Sequence, residues 1–163
     1  MRLLIIRHAV AVERGTPGIP DDERPLTPAG ERRFKKAARG LRRVAPRPDA
    51  ILSSPLPRAW RTAEIAAAAF GRLAPEKTPA LVDGSRADLA RALAPYGAES
   101  TVALVGHEPQ LSGVLAELLG SRAAERLTFR KGGAALVLVP ADLAGGGTLL
   151  WFLTPKLLRG FAG

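Results

Sequence analysis

Arg2-Leu3-Leu4-Ile5-Ile6-Arg7-His8-Ala9 is the stretch from which the fold is read. Four consecutive apolar residues, two of them β-branched, match a strand buried on both faces. Packing gives no reason for an arginine and a histidine at its exit. Thr101-Val102-Ala103-Leu104-Val105-Gly106-His107 repeats the device, and these are the only two histidines in the chain. In open α/β sheets ligands bind beyond the carboxyl ends of the strands, so both histidines are expected to face one pocket.

Outward from these strands the chain alternates. Ala9 to Leu26 is a long loop rich in Gly, Pro and acid, placed where loops carry function. Thr27-Pro28 starts a helix, with Thr27 as N-cap and Pro28 at the first helical position. Phe34, Ala37, Ala38, Leu41 and Val44 fall on one face of it, and seven Lys and Arg residues between Arg32 and Arg43 occupy the rest. That basic face reads as the solvated side of an amphipathic helix, with docking of an acidic protein as the functional alternative. Asp49 to Ser54 reads as a second strand, followed by a helix over Pro57 to Phe70 with Arg58 in its first turn. A cation there opposes the helix dipole, which makes sense if Arg58 points at an anion. A short strand is expected around Pro79 to Val82, and a helix opened by a Ser85-Arg86-Ala87-Asp88 capping box. After His107, Glu108-Pro109 begins another helix, with Gly120 just past its end. Gly133–Pro140 and Gly147–Thr154 read as a closing antiparallel hairpin, with Gly145-Gly146-Gly147 as turn residues.

The pattern predicts an α/β fold, a three-layer α/β/α sandwich with a mostly parallel sheet, in one domain over residues 1–163. Hydrophobic residues at 47% suit a packed core rather than disorder. The chain has no cysteine, which removes disulfides and thiolate metal sites. No metal or other cofactor is expected, because two histidines beside arginines make a poor cation site. The first apolar run is too short for a signal peptide and no stretch is long enough to span a membrane, so a cytoplasmic location is expected. A net charge of +9 favours anionic partners. With aromatics at 5% and no nucleic-acid-binding motif, neither nucleic acid nor membrane is expected among them.

Arg7, His8, Arg58 and His107 are the residues that carry chemistry. Arginine matches phosphate oxygens in bidentate fashion. A neutral imidazole attacks phosphorus and carries the phosphoryl group. Such a cluster suggests a phosphatase or phosphomutase working through phosphohistidine.

Four blocks in order resemble the histidine phosphatase superfamily, the phosphoglycerate-mutase-like clan: Arg7-His8 after the first strand, Leu26-Thr27-Pro28-Ala29-Gly30, Ser53-Ser54-Pro55-Leu56-Pro57-Arg58-Ala59-Trp60-Arg61-Thr62-Ala63, and Val105-Gly106-His107-Glu108-Pro109. The short length, Arg-His-Ala rather than Arg-His-Gly, and Gly-His-Glu-Pro followed by Leu111-Ser112 resemble its SixA-type phosphohistidine phosphatases. The resemblance implies His8 as the phosphorylated nucleophile, with Arg7, Arg58 and His107 forming the phosphate pocket and Ser54 lining or shaping it. It implies as substrate a phosphohistidine on a partner protein such as a phosphotransfer domain. The alternatives are a phosphatase of small esters such as sugar phosphates and a non-catalytic phosphate-binding module on the same fold.

Two positions depart from the superfamily pattern. Ala9 stands where glycine is usual, and glycine allows closer backbone approach. Many members have a clear carboxylate to protonate the leaving oxygen; here Asp83 is the candidate acid, with Glu108, Asp21 and Asp22 as alternatives. A site with a weak acid is better matched to P–N than to P–O cleavage, because an alkoxide needs its proton more than an imidazole does.

Overall fold

Leu3, Leu4, Ile5 and Ile6 are completely buried in the computed structural model, which describes residues 1–71, 73–140, 142–143 and 146–163. They belong to β1 (Arg2–Arg7), and their side chains alternate between two cores. Leu4 and Ile6 pack with Phe34 and Leu41 of α1 (Pro28–Val44) and with Ala63 and Ala66 of α2 (Pro57–Ala69). Leu3 and Ile5 pack with Leu89 and Leu93 of α3 (Arg86–Leu93) and with Leu111 and Leu115 of α4 (Gln110–Leu118). The period of two along one strand therefore builds the expected three layers, with helices on both faces.

The other strands are β2 (Ala50–Ser53), β3 (Glu76–Lys77), β4 (Thr101–Gly106), β5 (Ala134–Leu138) and β6 (Thr148–Leu153), in the order β3-β2-β4-β1-β5-β6. Pairing is parallel from β3 to β1; β5 and β6 run antiparallel. The register positions the site. Arg7 lies opposite Gly106 and Ser53 opposite Val105, so His8, Ser54 and His107 emerge side by side at one end of the sheet.

Helix starts follow the local signals. Thr27 Oγ1 accepts the Gly30 N–H at 2.9 Å, and Pro28 occupies the first turn. Ser85 and Asp88 form the expected capping box. Gly120 follows α4 at φ 66°. Three details differ from expectation. Pro79–Leu81 is a 3₁₀ turn, and the short strand lies earlier, at Glu76–Lys77. Pro79 has no N–H for a ladder, and Thr78 Oγ1 caps the turn by accepting from Ala80 N. A short helix, α5 (Pro155–Gly160), follows β6; its Thr154-Pro155 start repeats the Thr27-Pro28 signal. Gly145 of the expected glycine turn lies outside the described residues. No helix among the described residues is long and apolar enough to cross a membrane.

Candidate active site

Arg7, His8, Ser54, Arg58 and His107 come together at the carboxyl ends of β1, β2 and β4. His8 is 5% exposed and His107 7%. Their ring centroids are 5.1 Å apart and the planes are tilted by 51°. His8 Nδ1 lies 2.7 Å from the Ala9 carbonyl oxygen. A carbonyl only accepts, so Nδ1 carries the proton and the neutral ring presents its lone pair at Nε2. Burial pushes the His8 pKa down to about 3; the bond to Ala9 opposes this, while His107, Arg58 and Arg7 add to it. Burial, then Arg58, Arg24 and Arg7, hold His107 down to about 4. Both rings are neutral at pH 7.

The two arginines are held by one edge of each guanidinium. Arg7 Nη1 donates to the Phe129 carbonyl at 2.5 Å. Arg58 Nη1 donates to the Asp21 carbonyl at 2.6 Å, and its Nη2 lies 3.7 Å from Asp21 Oδ2. Burial lowers the pKa of each; Glu108 opposes the shift at Arg7, and Asp21 opposes it at Arg58, where Arg24 adds to the lowering. What remains is informative. Arg7 Nε, Arg58 Nε and His107 Nδ1 are all buried without a hydrogen-bond partner. Buried polar groups are nearly always paired, and an orphan costs about 1–3 kcal/mol. Three orphans in one cationic cluster define a place for the oxygens of an anion.

Ser54 joins the cluster through His107. Its Oγ is 2.8 Å from His107 Nε2 and also accepts the Leu56 N–H at 3.3 Å. When the hydroxyl donates to Nε2, the His107 proton resides on Nδ1, the orphan atom.

The four carboxylates weighed as acids fall into two groups. Glu108 uses both oxygens: Oε1 accepts the Phe129 N–H at 2.6 Å, and Oε2 accepts the Ser112 hydroxyl at 2.6 Å and its N–H at 3.3 Å. It thereby braces Phe129, whose carbonyl takes Arg7. Asp21 accepts from Arg14 at 2.8 Å and Arg24 at 2.9 Å. The Arg14 bond, with help from Arg24, holds its pKa down at about 2. Asp22 and Asp83 are exposed, with no ion pair or hydrogen bond to their side chains among the described residues. Asp83 stands on the turn that Gln110 of α4 grips by donating to the Ala80 carbonyl at 2.7 Å and the Gly84 carbonyl at 2.9 Å.

Sequence reasoning missed three supports. Thr62 is fully buried; its Oγ1 accepts the Ala9 N–H at 3.0 Å and donates to the Arg58 carbonyl at 2.7 Å. It therefore ties the loop after His8 to the helix that carries Arg58. Arg24, 6% exposed, donates to the Val12 carbonyl at 2.6 Å and fixes the long loop over the site. The Phe129 carbonyl orients Arg7 across 122 positions of sequence. A threonine one turn after Arg58 was a readable hint; the two loop contacts had no local signal.

A protein built this way on a parallel sheet, with paired histidines and arginines at the strand exits, is a phosphate-handling α/β enzyme. The chain belongs to the histidine phosphatase superfamily. The family described as Histidine phosphatase superfamily (branch 1) matches residues 3–89, which include Arg7, His8 and Arg58. An uncharacterised protein of Picosynechococcus sp. is 34% identical over 140 residues, 82% of each chain. The structure of the protein histidine phosphatase SixA complexed with tungstate superposes with a TM-score of 0.81 at 25% identity, covering 97% of this chain and 99% of that one. The native structure of a mycobacterial glucosyl-3-phosphoglycerate phosphatase matches at TM-score 0.73 and 19% identity, over 94% of this chain and 98% of that one. Membership carries phosphatase chemistry, and the fold is the phosphoglycerate-mutase-like fold of SixA.

Proposed function

We propose that the protein dephosphorylates phosphohistidine on a partner protein, through a phosphorylated His8. The observation that carries this reading is the neutral His8 ring, its Nδ1–H on the Ala9 carbonyl and Nε2 free of a protein partner, 5.1 Å by ring centroids from His107 and within the field of Arg7 and Arg58, whose buried Nε atoms have no protein partner. Nε2 attacks phosphorus as the P–N bond to the substrate imidazole breaks. The leaving ring keeps the bonding pair and takes a proton from solvent. Arg7, Arg58 and His107 hold the transferring oxygens, where charge stabilisation is most of what the reaction needs. Water then attacks phosphorus, the N–P bond returns its pair to Nε2, and the water proton leaves with phosphate and solvent. Ser54 orients His107.

The carboxylates favour P–N over P–O cleavage. Glu108 and Asp21 are spent on hydrogen bonds, and Asp21 is ionised at pH 7. A small ester such as a sugar phosphate needs a proton delivered to its alkoxide. Asp83 is the residue we assign that role if such esters are turned over.

Two measurements test the reading. Labelled phosphoramidate should leave acid-labile, base-stable phosphate on the wild type and none on His8→Ala. Absence of label from any donor would reduce the protein to a binding module. Turnover of a phosphohistidine protein should exceed that of sugar phosphates; the reverse order sinks the P–N assignment.

A further inference from the structure

Beside the catalytic strand lies a second feature that phosphoryl transfer does not use. A hollow of about 220 Å³ is walled by Arg33 of α1, Lys131 of the loop before β5, and Arg159 of α5, over an apolar floor that includes Phe34 and Pro155. It begins at Ala9, one residue from the nucleophile. The Lys131-Gly132 turn is stitched to the nucleophile's own backbone: Gly132 N–H is shared between the Arg7 carbonyl at 3.1 Å and the His8 carbonyl at 3.0 Å. Gly132 has φ 79°, and a Cβ there would stand 3.3 Å from the Phe34 ring, so a side chain would crowd the hollow as well as strain the turn.

The charges are what mark it. Arg33, Lys131 and Arg159 have neither an ion pair nor a side-chain hydrogen bond among the described residues. The only acid on α1, Glu31, is occupied by Arg61 at 2.8 Å and Lys35 at 3.9 Å. A basic helix alone reads as a solvated face. Cations from three elements distant in sequence, converging unpaired on one concavity beside the site, do not follow from helix amphipathicity.

We infer that this hollow docks an acidic segment of the phosphorylated partner protein, carboxylates on its rim and an apolar side chain on its floor, while the phosphohistidine reaches His8. The inference rests on the phosphohistidine reading above. It makes the substrate a protein with Asp or Glu near the phosphorylated histidine, recognised by complementary charge that acts on encounter rate and salt dependence.

The test uses three probes: phosphoramidate, a phosphohistidine peptide flanked by Asp and Glu, and the same peptide flanked by Ser. The wild type should favour the acidic peptide in kcat/KM by about tenfold or more, the combined effect of three partly exposed charge contacts. Added salt should erase the preference. In the triple variant R33E/K131E/R159E the preference should vanish while phosphoramidate turnover stays within about twofold, which also shows that the variant folds. Equal wild-type rates on the two peptides overturn the docking inference and leave the phosphohistidine reading standing. Turnover of sugar phosphates with neither peptide cleaved overturns both. A preference for doubly phosphorylated small esters that the triple variant loses puts a second phosphate in the hollow, and overturns the protein partner.

Discussion

Thr62→Val isolates one hydrogen bond on which the geometry of the proposed nucleophile depends. Valine matches threonine in shape, so packing around this fully buried side chain is kept and only the hydroxyl is lost. The Arg58 carbonyl retains its ordinary helical partner four residues on. The Ala9 N–H does not: its acceptor is Thr62 Oγ1 at 3.0 Å. An orphaned buried amide costs about 1–3 kcal/mol. For a domain of this size that lowers Tm by roughly 2–12 °C, at roughly 2–4 °C per kcal/mol. The kinetic effect runs through the same residue, because the Ala9 carbonyl, one peptide on from the orphaned N–H, fixes the His8 tautomer at 2.7 Å. If about 1.4 kcal/mol of the loss is expressed in the placement of Nε2, kcat on phosphoramidate falls about tenfold. Thr62→Ser keeps the hydroxyl and gives up one methyl, so it should retain most of the activity. Thermal melts and steady-state rates on the three proteins decide the matter. Valine and wild type alike in both would refute the claim that Thr62 couples the two halves of the site.

Glu108→Gln should cost about 1–2 kcal/mol of stability, since its amide nitrogen must oppose either the Phe129 N–H or the Ser112 donors; KM for phosphoramidate should rise with it, because Phe129 orients Arg7, and an unchanged KM would detach Glu108 from the site. Acid should destabilise the fold through the two histidines. Their folded pKa values, about 3 and about 4, lie below the ordinary 6.5, so the unfolded chain binds more protons and stability falls as pH drops below about 6.5, by at most about 2.7 kcal/mol per pH unit. Urea midpoints between pH 7 and pH 5 check this, a window above the range where Asp21 titrates; a His8→Asn/His107→Asn double variant as pH-sensitive as wild type would overturn it. Sulfate, a dianion that does not titrate in this range, should raise Tm more at pH 5.5 than at pH 8, because an anion in the pocket raises the His107 pKa and takes up a proton; Arg58→Gln should abolish the shift, and a larger shift at pH 8 would contradict the cationic pocket.

Local chemistry was legible and long-range chemistry was not. The β1 apolar run, the Thr27-Pro28 start and the Ser85 capping box each declare themselves within a few residues, and each formed as read. His8 and His107 were paired by two like strand exits, which works because a parallel register carries strand ends to one edge. Position 79 misled because Pro79 in an apolar stretch resembles a strand, whereas the Thr78 cap makes a 3₁₀ turn. The Thr154-Pro155 start of α5 was readable by the rule that found α1, but was hidden beside the apolar run of β6. Arg24 and the Phe129 carbonyl left no trace, since what fixes them is a partner supplied by the folded loop.

The same charges perform two tasks in this pocket, and the tasks reinforce each other. Arg7 and Arg58 help keep His8 neutral, which in the proposed reaction preserves the lone pair for attack. They do so only while the pocket lacks an anion to offset them. Once a phosphoryl group enters, its charge meets Arg7 Nε, Arg58 Nε and His107 Nδ1, the atoms left without partners in the free protein. An anion there supplies acceptors to three buried donors that no protein group pairs. Inorganic phosphate offers the same oxygens as the transferring group. Under the proposed reaction, such a pocket binds its product by the groups that stabilise its intermediate, so inorganic phosphate is expected to inhibit turnover, and Arg58→Gln to weaken that inhibition.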